Sequence, residues 1–315
     1  MKVKTVTTLL SGRYGIVILL VSMLIAAMLA TPEFRTLNNL SNVALQTAAL
    51  AILAIGQTVV IIAGLIDLSV GMLIGLVVVI TSDLMNGQSA MTMAGIFVAL
   101  GLGAGIGLVN GLLNYLLRID PLILTFGMLS VLQGTIFVYT DRSVGRTSPE
   151  FAWMANGTIF GIPFAVILLA AVAGATYFLM NRTRFGYHVY AVGGNEEHAR
   201  RAGIKTHRIK VWVFVISGIT AGISGILVAG RLGTGYPNAG SGYELDAIVA
   251  VVLGGTSLAG GRGSILGTVA AVFVLGITSN TLNLLEVSSF VQILIKGLIV
   301  IAAILLNQPK NKVTA

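Results

Sequence analysis

The sequence predicts an all-α, polytopic membrane protein with about ten transmembrane helices and both termini on the cytoplasmic side. Of its 315 residues, 56% are hydrophobic and only 10% are charged, whereas a soluble domain has about 25% charged residues. The mean hydropathy is +0.95, and the apolar residues stand in long runs of membrane-spanning length. We therefore expect one transmembrane domain over residues 1–315.

Ten apolar runs are predicted to span the membrane. The first follows Lys2, Lys4 and Arg13. It is long for a signal-peptide core and lacks an Ala-x-Ala ending, so a membrane span is favoured over a signal peptide. The third and eighth runs are short and flanked by glycine, which indicates broken or partial helices. The predicted spans are 14–30, 43–63, 68–84, 91–117, 120–139, 162–180, 211–230, 245–258, 264–281 and 288–306.

The distribution of Lys and Arg predicts the orientation. With the N-terminus inside and ten alternating spans, the inner segments hold 14 of the 19 basic residues and the outer segments hold 4, while Lys296 lies within the last span. Basic residues are favoured on the cytoplasmic side, so both termini are expected inside. Seven of the 14 lie in one loop, residues 181–210, between the sixth and seventh spans.

Composition also excludes some classes of function. The net charge of +8 does not indicate nucleic-acid binding, because the basic residues lie at span ends and not on a soluble face. The chain has no cysteine, so disulfides and thiolate metal sites are excluded. Its three histidines are about ten residues apart, which is not metal-ligand spacing on one helix face. No catalytic, metal-binding or cofactor-binding residue is predicted.

Glycine recurs every four residues in the fourth span, at Gly103, Gly107 and Gly111. This spacing makes a smooth groove that allows another helix to approach closely. Tight packing is the favoured interpretation, and a sliding or gating contact is the alternative.

Two segments look alike at an offset of 190 residues, namely 59–75 and 249–267. Gly64 aligns with Gly254 and Gly71 with Gly261, and a two-residue insertion then brings Gly75 onto Gly267. Chance similarity in a glycine-rich chain is an equal alternative. A true repeat would predict interrupted helices in two halves of the protein, which line the permeation path in many transporters.

Polar residues at membrane depth are candidates for lining or gating a polar path, because a charge there needs a partner or water. For Asp67 the equal alternative is that Asp67 and Ser69 cap the third span. Lys296 is expected to form a structural ion pair with an unidentified carboxylate. The other candidates are the neutral Gln57, Thr256 and Ser257, for which packing or capping is as good an explanation, and Glu244 and Asp246, which begin the eighth span.

The basic loop contains the signature of a short helix. A two-turn helix is marginal alone in water, so it must be held by the flanking spans, by a partner or by both. Ala199 and Ala202 would let a partner approach closely, and a plain solvated loop is the alternative. The signature consists of Asn195 as N-cap, Glu196 and Glu197 at the N-terminal end, Arg200 and Arg201 at the C-terminal end, and Gly203 in a left-handed position.

Four motifs carry a resemblance to a known family. The sequence resembles, over nearly its whole length, the inner-membrane permease subunits of bacterial sugar ABC importers, particularly the ribose-type permeases. The family's common Gly-Gly-Ile-Asp is Gly64-Leu65-Ile66-Asp67 here, which puts the tightness of that turn in question. The motifs are GLIDLSVG at 64–71, AVGGNEEHARRAGIK at 191–205, GSGYELDAIVAVVLGGTSLAGGRGSILGT at 240–268 and NLLEVSSFVQILIKGLIVIAAILL at 283–306.

The resemblance implies a set of partners. These are a second permease copy or a paralogue, cytoplasmic ATPase subunits that hold the ATP, and an extracytoplasmic sugar-binding protein, all at the bacterial inner membrane. It also implies that the segment around 195–203 is the coupling helix that docks on the ATPase. The residues implied in coupling are Gly194, Asn195, Glu196, Ala199, Arg200, Arg201, Ala202 and Gly203.

The sequence has no GxxxxGK[ST] phosphate loop, so ATP hydrolysis is expected on a separate subunit. We hypothesise that the ATPase pulls the helix at 195–203 and reorients the spans, so that sugar passes near Asp67 and the 244–261 segment. The alternative is an ion-coupled secondary transporter of a small polar solute, in which Asp67 and Lys296 relay protons. The sequence does not identify the sugar.

Overall fold

A computed structural model describes residues 15–288 and, beyond them, residues 290–292, 294, 295, 297 and 298. This part of the chain is a bundle of α-helices with one small antiparallel hairpin, formed by β1 (Thr158–Ile159) and β2 (Ile162–Pro163). The helices are α1 (Gly15–Ala30), α2 (Leu37–Ile62), α3 (Val70–Met85), α4 (Thr92–Leu117), α5 (Pro121–Tyr139), α6 (Pro149–Asn156), α7 (Phe164–Arg182), α8 (Arg184–Gly194), α9 (Glu196–Arg201), α10 (Thr206–Leu232), α11 (Tyr243–Leu253) and α12 (Ile265–Leu284).

The all-α, multi-pass class predicted from the sequence is confirmed. Among the described residues, six helices are long and apolar enough to cross a membrane. They are α2, α4 together with the three residues before it (Ser89–Leu117), α5, α7, α10 and α12. Helices α1 and α3 are apolar but have 16 residues each, and α11 has 11. Nine predicted spans thus have a helical counterpart, and the third and eighth are short as expected. Most of the tenth, with Lys296, lies outside the described residues.

Helices α2 and α10 form the centre of the bundle. In their apolar windows 83% and 72% of residues are buried, against 17% in α5. Helix α10 packs against α2, α3 and α4, and α11 and α12 cover the other side of α2. The peripheral helices keep large apolar side chains exposed, as lipid-facing helices do. Polar groups on α2 and α10 are therefore shielded from lipid.

The glycine spacing in α4 has the predicted structural role. Added Cβ atoms on Gly103 and Gly107 would collide with the backbone carbonyls of Gly218 and Phe214 in α10, and one on Gly111 would lie 2.7 Å from the Cα of Val211. Backbone-to-backbone contact of this kind requires glycine. The long contact between α4 and α10 therefore depends on these positions.

Helices α2 and α11 end in the same kind of turn. Ala63 and Gly254 have almost the same backbone angles, with φ of −72° and −70° and ψ of 0°. The residues that follow, Gly64 and Gly255, are both left-handed, with φ of +77° and +87°. The two turns are therefore alike, but they do not follow the predicted alignment of Gly64 with Gly254, because the left-handed partner of Gly64 is Gly255.

Both turns continue into an unwound break. The amides of Leu65 and Thr256 each donate to the carbonyl five residues earlier at 3.1 Å, which completes a Schellman-type ending. Leu65 does not have a positive φ and is buried, so the glycine that the family commonly has there is not needed for this turn. The first break (63–69) separates α2 from α3, and the second (254–264) separates α11 from α12 and is four residues longer.

Candidate functional site

The first break is held by side chains from the neighbouring helices. The buried Gln57 amide, oriented with its nitrogen toward the Asp67 carbonyl, donates to that oxygen and accepts from the Asp67 N–H at 3.3 Å each. On the other side, the hydroxyl of Thr125 in α5 accepts from the Leu68 N–H at 3.1 Å. Unwound backbone at membrane depth needs such partners, because lipid offers none.

The Asp67 carboxylate is buried in a network of hydroxyl and amide groups, with 1% of the residue exposed. One carboxylate oxygen accepts from the Ser69 amide at 3.0 Å and the Ser69 hydroxyl at 2.6 Å, and the other accepts from the hydroxyl of Ser217 in α10 at 3.1 Å. The amide nitrogen of Asn110 in α4 donates to the Ser69 hydroxyl at 2.9 Å. The first break, α4 and α10 thus meet around this carboxylate.

This geometry corrects the predicted capping. Ser69 stands at the N-cap position of α3, but its side chain caps no helical amide and donates to Asp67 instead. Asp67 in turn accepts from the Ser69 amide, which precedes the helix. Asn110 and Ser217 were not predicted, because nothing in the sequence pairs Asn110 with Ser69, 41 residues away, or Ser217 with Asp67, 150 residues away. The only local signal at either position was a polar residue among glycines within an apolar run.

The neutral candidates of the second break bond within their own loop. Thr256 is fully buried, and its hydroxyl accepts from the Ser264 amide at 3.3 Å. The Ser257 amide donates to the Arg262 carbonyl at 3.0 Å, and the Ser257 hydroxyl accepts from Ala259. Both residues therefore shape the break in this conformation.

The acidic pair begins α11, as predicted. Glu244 and Asp246 lie in its first turn. The Glu244 carboxylate covers the Cα of Gly71 in α3, where any Cβ would collide with it. Gly71 is the second residue of α3, so the predicted residues Ser69 and Glu244 both lie at the start of α3, just after Asp67 in the first break.

The two breaks meet the end of α8 at a junction of glycines, which we call the glycine junction and define as Gly64, Gly193, Gly260 and Gly261. The Gly261 amide donates to the carbonyl of Ile62, at the end of α2, at 2.9 Å. A Cβ on Gly193 would collide with that same carbonyl and lie 2.8 Å from the Gly261 nitrogen, and one on Gly260 would lie 2.9 Å from the Gly64 Cα.

Tyr190 strengthens this junction from α8. Its hydroxyl donates to the carbonyl of Gly263, in the second break, at 3.4 Å. Burial raises the pKa of Tyr190, with a smaller contribution from Tyr177, so the hydroxyl keeps its proton at neutral pH and serves as a donor. Helix α8 therefore contacts both breaks directly.

The short helix α9 is separated from Gly193 of the glycine junction by Gly194 and Asn195. Asn195 caps it as predicted, with its side-chain oxygen accepting from the His198 amide at 2.9 Å, and Gly203 is left-handed at φ +85°. Lys210 in α10 pairs with Glu196 at 2.6 Å, and Arg201 pairs with Glu197. The pair with Lys210 thus fixes the N-terminal end of α9 to α10, and the pair of Arg201 with Glu197 lies within the helix; both support a helix of only six residues.

One expectation for α9 is wrong. Ala199 is 5% exposed and packs against the chain's own helices, so it does not offer a partner a close approach. Ala202 and the charged groups of Glu197, Arg200 and Arg201 are exposed. The surface that α9 presents is therefore polar and of mixed charge, as expected for a docking face and not for a lipid-facing one.

A multi-pass helical bundle with two interrupted helices is an architecture found in membrane transporters, and comparison with known proteins identifies the class as a transport permease. Residues 39–304 match the family described as branched-chain amino acid transport system / permease component. The chain is also 40% identical to the ribose import permease protein RbsC of Escherichia coli K12, with 94% of each chain covered. No solved structure matches it significantly.

Other relatives agree. The chain is 38% identical to RbsC of Bacillus subtilis, covering 92% of this chain and 90% of the relative. It is 35% identical to the L-arabinose transport system permease protein AraH of Escherichia coli K12, covering 95% and 92%. The chain therefore belongs to this permease family, and within it to the ribose-type permeases of sugar importers; it is a transport subunit and not an enzyme.

Proposed function

We propose that the chain is the membrane subunit of an ATP-driven importer that takes up a monosaccharide, ribose or a related sugar. It is embedded in the bacterial inner membrane, with about ten spans and both termini in the cytoplasm. A separate ATPase subunit hydrolyses ATP, an extracytoplasmic binding protein delivers the sugar, and a second permease copy or a paralogue completes the pathway. The names of the relatives, two ribose permeases and an arabinose permease, support the sugar class.

The glycine junction is the observation that carries the mechanism. Helix α9 presents a capped, exposed surface for the ATPase, and Gly193, just before it, packs against the end of α2 and against Gly261 in the second break. A displacement of α9 is transmitted directly to the two breaks, because backbone packed on backbone leaves no side chain to absorb it. Residues 181–210 act as the coupling loop of the single domain 1–315.

Asp67 holds the first break in its closed arrangement. Its carboxylate joins α3, α4 and α10 through Ser69, Asn110 and Ser217. Reorienting these helices requires that at least one of these hydrogen bonds is exchanged, which supports a gate beside Asp67 and, through Gly71, beside Glu244. Gln57, Thr256 and Ser257 provide hydrogen-bond partners for the backbone of the two breaks while the helices move.

A branched-chain amino acid is the second candidate substrate, because the family description names that class. The permease is reconstituted in proteoliposomes with its ATPase and binding protein, and uptake of labelled ribose, arabinose, allose and leucine is measured. We expect ATP-dependent uptake of one sugar that leucine does not reduce. Leucine uptake without sugar uptake would overturn the substrate class, and uptake that needs no ATP but stops with an uncoupler would overturn the ATP-driven mechanism.

A further inference from the structure

A groove lies where α8, the end of α9 and the start of α10 meet. It has a volume of about 390 Å³. Three of the residues that line it have basic side chains, and none of the described residues that line it is acidic. They are His188, Ala202, Gly203, Ile204, Lys205, Arg208 and Ile209.

The cations of this groove are available for an external anion. Within the part of the chain that the structure describes, the two ion pairs are Arg201 with Glu197 and Lys210 with Glu196. Lys205 and Arg208 take part in neither, and both are exposed. Two unpaired cations in one groove attract a singly or doubly charged anionic group.

The position of the groove indicates what that anion is. Lys205, Arg208 and Trp212 are three and four residues apart, so they follow one face at the start of α10. Trp212 is 58% exposed, and Tyr187, beside His188 in α8, is 66% exposed. Exposed Trp and Tyr mark the level of lipid headgroups, and from Trp212 onward the same helix is apolar.

The exposed face of α9 differs from the groove. It carries acidic and basic groups, and Arg201 there is paired with Glu197 within the helix. The ionisable side chains that line the groove are all basic, and Arg208 stands four residues before the exposed Trp212 in α10. Its charge and its place both favour lipid over a protein partner.

We propose that this groove binds the headgroup of an anionic phospholipid. Lys205 and Arg208 bind the phosphate, His188 donates a hydrogen bond, and Ile204 and Ile209 contact the glycerol and the first acyl carbons. Because Ala202 and Gly203 also line the groove, the bound lipid holds the C-terminal end of α9 and stabilises the coupling helix. Anionic lipid is then a cofactor of coupling at this face.

Lipid binding is measured on the full-length purified permease, without its partners, by native mass spectrometry during titration with phosphatidylglycerol. The test variant is Lys205→Gln with Arg208→Gln. The matched control is Arg182→Gln with Arg184→Gln, which removes the same charge from exposed positions outside the groove. Each basic residue near a membrane surface contributes appreciably to anionic lipid binding, so we expect the test variant to bind at least about tenfold more weakly and the control to change less than about twofold.

Three outcomes would overturn the proposal. Unchanged phosphatidylglycerol binding by the test variant would show that the groove is not the site. An equal loss in the control would show a general surface-charge effect. Displacement of the lipid by millimolar inorganic phosphate would show a site for free anions only. If the double variant does not fold, the exchange Lys205→Arg with Arg208→Lys must retain binding, and Arg208→Gln alone must weaken it.

Discussion

At the scale of single residues, Asp67 shows how a buried carboxyl group is accommodated in an apolar bundle. Its two oxygens accept three hydrogen bonds, from both polar groups of Ser69 and from the hydroxyl of Ser217. All of these donors are neutral. The hydrogen bonds themselves, rather than a cation of the described residues, stabilise the carboxylate and join the first break to α10.

This arrangement predicts different effects for two substitutions. Asp67→Asn keeps an oxygen toward Ser69 and offers an N–H to Ser217. We therefore expect its free energy of unfolding to lie within about 1 kcal/mol of that of the native protein, and we expect the variant to keep most of the transport rate. Asp67→Ala leaves three buried donors without an acceptor and is expected to cost about 2–4 kcal/mol.

Purified protein in detergent and uptake in proteoliposomes give the two readouts. An Asp67→Asn protein that is stable but does not transport would contradict a hydrogen-bonding role. It would show that the charge itself is required in the path, which is the other role that the sequence left open.

At the scale of helices, the contact between α4 and α10 depends on the face on which each glycine lies. Gly103 meets the backbone of α10, while nothing lies within 4 Å of a Cβ on Gly105, two residues further along the same helix. Gly103 and Gly105 are therefore matched positions for a test substitution and its control.

We expect Gly103→Ala to destabilise the bundle by about 1–3 kcal/mol, because the added methyl group must push two backbones apart. Gly105→Ala is expected to change stability by no more than about 0.5 kcal/mol. Thermal unfolding of the two variants measures this difference in stability. Equal stability would mean that α4 and α10 are not in backbone contact.

At the scale of the whole molecule, features that depend on neighbouring residues were predicted better than contacts between distant segments. Within the described residues, the approximate positions of the helical runs and the Asn195 cap and left-handed Gly203 of α9 were predicted correctly, because each depends on neighbours within a few residues. The expectation for Ala199 was wrong for the opposite reason, because its neighbours are set by tertiary packing.

The contacts between distant segments could not be predicted. Asn110 and Ser217 became partners of the first break only because α4 and α10 pack closely. Gly193 looked like an ordinary glycine of the basic loop, although it contacts both breaks. The likeness of the two turns was detected, but identity of residue types misplaced it by one, since only backbone angles distinguish Gly254 from Gly255.

The central claim is that α9 moves both breaks through Gly193, and one pair of variants tests it. A Cβ on Gly193 would collide with the Ile62 carbonyl, whereas nothing lies within 4 Å of one on the adjacent Gly194. ATP hydrolysis and sugar uptake are measured together in proteoliposomes that hold the complete importer. We predict that Gly193→Ala leaves the ATPase bound and active but lowers uptake at least about tenfold, while Gly194→Ala has normal uptake. Normal, ATP-coupled uptake by a folded Gly193→Ala permease would contradict the account.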